Sequence, residues 1–303
     1  MNTVTQFPIK RGVDASVRLS MLIWGQAGSG KTTWAATAPG DKLWLSFGEG
    51  EHVSVSGRND VFVMDLSSTP ADEVFKHGLG KNPFGLDQQL YERRNIKTVV
   101  VDNLTAVQYL GLEKAVGDGI GAGKGFTPTM QAPGRSAYGG RNANLIGLMK
   151  AIISITGKHK VNVIFIAHES DPITKIDNRG VESIEHIGMS LGGQLVNNVS
   201  AQLSEIWNFR QEPLGKRQRI VTVRVSGSRK PMKTRMFDQR GESSFVVTYD
   251  PTKPNAAPGQ VTISGFWEAW HKNGMQRIQV PSNRTGGDKE DNNIVKFGPH
   301  SAV

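Results

Sequence analysis

Short apolar runs alternate along this chain with helical or glycine-rich stretches. Leu19 to Trp24 is a continuous apolar run, the pattern of a strand buried on both faces. Lys31 to Ala38 reads as a helix, closed by Pro39 and Gly40. Lys42 to Phe47 and Asp60 to Leu66 repeat the strand signal. Lys97 to Val101 is β-branched and ends on Asp102. Leu145 to Thr156 has helical spacing that Gly157 stops, and Val161 to Ala167 is another buried strand. Strands alternating with helices predict an α/β fold with a mainly parallel central sheet flanked by helices.

Beyond residue 200 the texture changes. Ser204 to Phe209, Arg219 to Val225 and Ser244 to Tyr249 read as shorter strands, a short antiparallel extension of the sheet. Pro251 to Pro258 is a proline-rich break, and Gln260 to Asn273 reads as a strand and a helix holding Trp267 and Trp270, both expected as core anchors. The expected organisation is an N-terminal arm over 1–17, a core over 18–250, a small extension over 251–282 and a disordered tail over 283–303.

Composition narrows the classes. A chain of 303 residues buries a sizeable core, and without cysteine it has neither a disulfide framework nor a thiolate metal site. Its N-terminus lacks the basic start and apolar run of a signal peptide, and no apolar run is long enough to cross a bilayer. These features lead us to expect no membrane and a cytoplasmic location, host cytoplasm if phage-encoded. The net charge of +9 favours polyanion partners through counterion release.

The chemistry starts at Gly25-Gln26-Ala27-Gly28-Ser29-Gly30-Lys31-Thr32, which satisfies G-x-x-x-x-G-K-[ST] in full, with Thr33 beside it. Glycines let such a loop wrap so that backbone N–H groups face phosphates, and the helix it opens also favours anions. Lys31 is expected to reach the β- and γ-phosphates of ATP, and Thr32 to give its hydroxyl to Mg2+. Asp102, at the end of a buried strand, is the second acid of the magnesium shell; its other reading is a cap on the helix near Leu104.

With these two motifs the chain resembles the RecA-like ATPases, over roughly residues 18–247. It looks most like the phage single-strand annealing recombinases built on a bare RecA core. The resemblance implies a RecA-like P-loop NTPase fold and a glutamate that polarises the attacking water. Glu49-Gly50 matches the acid-glycine form of RadA-like relatives, and Glu51-His52 the form of bacterial RecA, with Glu49 preferred. His168 stands where a polar residue ending the next core strand senses the γ-phosphate. Lys233 and Arg235 match a pair that reaches the neighbouring subunit's ATP in DnaB-like and RadA-like proteins; at i and i+2 on a strand they point the same way.

Two long stretches, 117–144 and 169–193, carry no regular pattern. In the RecA family the corresponding loops line the channel for single-stranded DNA. Lys124, Phe126, Arg135, Tyr138 and Arg141 in the first supply cations with interleaved aromatics, suited to a backbone track and a stacking platform. The second is weighted less, because its acids offset Lys175 and Arg179.

The resemblance implies an ATPase that binds single-stranded DNA and anneals complementary strands, works as a homo-oligomeric filament or ring and meets a single-strand binding protein. The alternatives are a ring helicase motor, a DNA-packaging motor and a nucleotide-gated interaction protein that does not act on DNA.

Overall fold

The structure, a computed structural model, describes residues 18–281 apart from 124–125, 177, 179–181, 212–217, 226, 239, 241 and 249–260. The expected arm, the proline-rich break, the tail and Lys124 lie outside the described residues.

One eight-stranded sheet organises the chain. Six of its strands are parallel: β1 (Ser20–Gly25), β2 (Asp41–Ser46), β3 (Val61–Asp65), β4 (Ile96–Asp102), β5 (Asn162–His168) and β8 (Glu205–Gln211). Antiparallel β9 (Gln218–Thr222) and β10 (Ser244–Thr248) continue the sheet beyond β8. The strand order is β10-β9-β8-β1-β5-β4-β2-β3. This is the mainly parallel sheet with an antiparallel extension expected from the sequence. A separate ribbon pairs β6 (Ile173–Ile176) with β7 (Glu182–His186).

Alternation explains the continuous apolar runs. Leu22 and Trp24 of β1 enter one apolar cluster, while Met21 and Ile23 enter the other. Val99 and Val101 of β4, and Val163 and Phe165 of β5, face the first; Val100, Ile164 and Ile166 face the second. The first face is covered by α2 (Ala71–Gly78), α3 (Leu86–Glu92), α4 (Leu104–Gly117), α5 (Gly134–Lys158) and α6 (Leu195–Ala201). The second carries α1 (Lys31–Ala35) and α7 (Ile263–Lys272).

Several expectations need correction. Ser204 to Phe209 belongs to β8, which is parallel to β1, because α6 provides the crossover that a parallel neighbour requires. The stretch 117–144 is not irregular throughout. Helix α5 begins at Gly134 and runs 25 residues, with Ala137 and Arg141 continuing the buried stripe of Leu145, Leu148 and Ile152. Gly139 and Gly140 lower its helix propensity and hide the period. Packing requires Gly140, where a Cβ would stand 2.9 Å from Ala115 Cβ on α4. The stretch 169–193 holds the β6–β7 ribbon, whose side chains are almost all exposed, so burial imposes no strict alternation on the sequence.

At Gln260 to Asn273 the described residues form a helix and no strand. Thr262 caps α7, its Oγ1 accepting the Gly265 N–H at 2.9 Å. Trp267 and Trp270 are partly buried against the second cluster.

Aromatic rings dominate that cluster. Trp207 lies 5.4 Å from Phe237 and 5.6 Å from Trp34, ring to ring, and its Nε1 donates to Glu205 Oε2 at 2.8 Å. Trp207→Ala is expected to cost about 3–5 kcal/mol, read by urea unfolding. A cost below about 1 kcal/mol would show that the cluster does not hold this face together.

Candidate functional site

Register brings the candidate residues to one edge of the sheet. Gly25 on β1 is level with His168 on β5, and Ser46 on β2 with Asp102 on β4. In open α/β sheets the crevice at these carboxyl ends is where ligands bind. A pocket of about 470 Å³ opens there, lined by Ala27, Gly28, Gly30, Lys31, Thr32, Thr33, Glu49, Glu51 and His168.

Glycine is required where the loop leaves the sheet. A Cβ on Gly25 would stand 1.8 Å from the Phe209 carbonyl oxygen of β8. Gly28 and Gly30 sit at φ of +70° and +93°, a region that favours glycine. Gln26 is exposed, and Ser29 is buried beneath the loop.

Lys31 is buried, and its Nζ donates to the carbonyls of Gly25 at 2.9 Å and Gln26 at 2.7 Å. Burial pulls its ammonium down to about 8, against the pull of Asp102, Glu51 and Glu169. Thr32 Oγ1 donates to Asp102 Oδ2 at 3.1 Å. Asp102 is fully buried and its Oδ1 has no hydrogen-bond partner. A desolvated carboxylate with an unsatisfied oxygen, beside a hydroxyl and under a phosphate loop, fits a hard divalent cation such as Mg2+.

Asp102 is not the helix cap. Asn103 caps α4, its Oδ1 accepting the Ala106 N–H at 2.7 Å. That bond turns Nδ2 of the same amide toward the pocket, where it donates to Glu51 Oε1 at 2.7 Å and lies 3.1 Å from His168 Nε2. His168 Nε2 is 3.3 Å from Glu51 Oε1. The His168 contact holds the Glu51 carboxyl below its ordinary range, with burial opposing. Glu49 lines the same pocket but stands exposed at its rim. Of the two acids the fold thus builds Glu51, not the preferred Glu49, into a network with Asn103 and His168.

Lys233 and Arg235 are not in the pocket of their own chain. Lys233 Nζ donates to the Leu203 carbonyl at 2.7 Å, and the Arg235 side chain is exposed. A different pair sits beside the site: Glu169, whose Oε1 is 3.5 Å from Arg229 Nη2 and whose Oε2 accepts from Asn208 Nδ2 at 3.3 Å.

The residues expected to meet DNA divide by burial. Phe126, Arg135 and Tyr138 are exposed, whereas Arg141 is buried. Arg141 stacks 5.1 Å from the Tyr138 ring centre, and its Nη2 donates to the Gly192 carbonyl at 3.1 Å. Burial lowers its pKa. Gly192 N in turn donates to Gln108 Oε1 at 2.6 Å, Gln108 Nε2 donates to the Ser190 carbonyl at 3.3 Å, and Ser190 N donates to the His168 carbonyl at 2.7 Å. Polar contacts therefore run from the strand end at His168 to the first turns of α5. Gln108 had no signal in the sequence, being one glutamine within an ordinary helix.

Burial pushes the Asp102 carboxyl up to about 7, with Glu51 adding to the shift. Between about pH 4 and about pH 7 the ligand-free folded chain keeps a proton that the unfolded chain has lost. This group therefore lowers stability as pH rises through that window. Relative to wild type, Asp102→Asn should gain stability from about pH 4 to about pH 7 and keep the gain above, measured by chemical unfolding of the metal-free protein. A difference independent of pH would mean that Asp102 is already ionised when folded.

Among the described residues no helix is long and apolar enough to cross a membrane. No curated protein sequence matches the chain. The solved structure of the RadB recombinase is similar at 14% identity and a TM-score of 0.37, covering 67% of this chain and 78% of that one. A protein-family profile described as AAA domain matches residues 18–235, most of the core and all of the strand ends that line the pocket. With its phosphate loop, its buried acid and this match in place, the chain belongs to the AAA domain family and is a P-loop ATPase.

Proposed function

We propose that this chain hydrolyses ATP while bound to single-stranded DNA and anneals complementary strands in phage recombination or replication. The observation that carries the hydrolytic part is the Glu51 carboxylate, held by Asn103 and His168 over the same pocket as Lys31 and the Thr32–Asp102 pair.

ATP is the substrate. Its phosphates face the backbone N–H groups of the glycine loop, and Lys31 exchanges the Gly25 and Gln26 carbonyls for phosphate oxygens. Thr32 and Asp102 would hold Mg2+, which would neutralise charge on the phosphates. Glu51 orients the attacking water and takes its proton, while Asn103 fixes the carboxylate through an amide already locked by the helix cap. His168 meets the terminal phosphate at the strand end. Loss of that phosphate reaches the surface through Ser190, Gln108, Gly192 and Arg141.

Support for the DNA part is a cleft of about 520 Å³ lined by Arg135, Tyr138, Arg141, Gly192 and Gln194. An exposed tyrosine backed by a buried arginine suits base stacking, and Arg135 suits the phosphate track. Phe126 does not line this cleft; its exposed ring lies beside Gly134, at the start of α5. Arg235, exposed on its own chain, is the stronger candidate of its pair to reach the ATP of the next subunit in a filament or ring.

Hydrolysis should be stimulated by single-stranded DNA and abolished by Lys31→Ala. Hydrolysis indifferent to DNA, with no binding at low salt, would leave a nucleotide-gated switch as the better account. Glu51→Gln should lower kcat by about 100-fold or more while ATP still binds, and Glu49→Gln should leave kcat within about three-fold. The reverse pattern would transfer the role to Glu49. Tyr138→Ala should weaken single-stranded DNA binding by about five-fold or more in a fluorescence titration, whatever the base sequence.

A further inference from the structure

The phosphate loop is held from outside its pocket by one hairpin. Strand β8 presses on its start, where the Phe209 carbonyl occupies the space a Gly25 side chain would need. Asn208 Nδ2 donates to the Trp24 carbonyl at 3.3 Å, one residue before the loop. Arg219 of β9, level with Gln211 of β8, donates from Nε to the Ser29 carbonyl at 2.8 Å, across 190 positions of sequence. Arg219 is not among the residues that line the pocket, whereas Gly30, next to its Ser29 partner, is.

We propose that Arg219 is a positioning residue for nucleotide binding: its guanidinium sets and polarises the Ser29–Gly30 peptide, so that the Gly30 N–H is aimed at a phosphate of a nucleoside di- or triphosphate. In a trans peptide the C=O and N–H point in opposite directions. A cation fixed on the Ser29 carbonyl therefore directs the Gly30 N–H away from β9, toward the pocket that Gly30 lines. The same bond draws electron density toward the carbonyl oxygen and makes the N–H a stronger donor. Glycine at 28 and 30 leaves the loop many backbone states, so an external clamp lowers the ordering cost that binding would otherwise meet.

This inference rests on the reading of the pocket as a nucleotide site, and the experiment separates the two. ATP and ADP affinity is measured by isothermal titration for wild type, Lys31→Ala, Arg219→Ala, Arg219→Gln and Arg219→Lys, with the melting temperature of each ligand-free protein. Arg219→Ala and Arg219→Gln should weaken ATP and ADP binding by about ten-fold, the size of one charge-assisted hydrogen bond. Arg219→Lys, which keeps charge and a donor, should stay within about three-fold of wild type. Steady-state kinetics should show the loss in KM, with kcat within about two-fold. Unchanged affinity in Arg219→Ala and Arg219→Gln, while Lys31→Ala no longer binds, overturns the clamp and leaves the nucleotide site standing. Equal weakening in all three Arg219 variants that tracks a fall in melting temperature also overturns it, assigning Arg219 to the fold alone. A wild-type chain that binds neither nucleotide overturns both.

Discussion

Everything in this protein turns on holding two opposite charges, Lys31 and Asp102, at the dry end of an apolar sheet. Both are buried, and burial shifts each toward its neutral form, Lys31 down and Asp102 up. Keeping such charges out of water is unfavourable unless partners or a ligand take the place of solvent. The fold supplies partial replacements: the Gly25 and Gln26 carbonyls for Lys31 and the Thr32 hydroxyl for Asp102. It leaves Asp102 Oδ1 unmatched. A site in this condition is preorganised for a highly charged ligand and its counter-ion, because the desolvation that binding requires has already been met in folding.

The sheet order follows from the same constraint. The strand that opens the phosphate loop and the strand that ends on Asp102 are separated by β5, whose end places His168 between them. Parallel pairing keeps all these ends on one edge, and the alternating apolar residues of β1, β4 and β5 seal both faces behind it. Asn103 then joins architecture to chemistry. One end of its amide starts a helix and the other steadies Glu51.

Much of this was legible in the amino-acid sequence. Buried parallel strands need unbroken apolar runs, so β1, β4 and β5 could be read within a residue or two at either end. The glycine-lysine-threonine pattern is local and its chemistry is local as well. What was illegible depends on distance. The choice between Glu49 and Glu51 turns on which side chain a short helical turn over Glu51–Val55 carries back toward β4, and spacing alone does not encode that. Gln108 and Arg219 hydrogen-bond to partners 84 and 190 positions away. The first half of α5 was hidden because adjacent glycines mask its period, and Gly140 answers to Ala115 on the facing helix rather than to helix propensity.

Helix α1 is completed from far down the chain. Trp34 Nε1 donates to the Val261 carbonyl at 3.1 Å, and the backbone N–H of Ile263 donates to Thr37 Oγ1 at 3.0 Å. On a ribosome the nucleotide-binding helix therefore waits for more than two hundred further residues before its outer face is covered. A chain shortened before Val261 keeps the Trp207, Phe209 and Phe245 rings beside Trp34 but loses the acceptor for its indole N–H. The outer face of the helix that opens at Lys31 is thus closed by residues more than two hundred positions further along the chain.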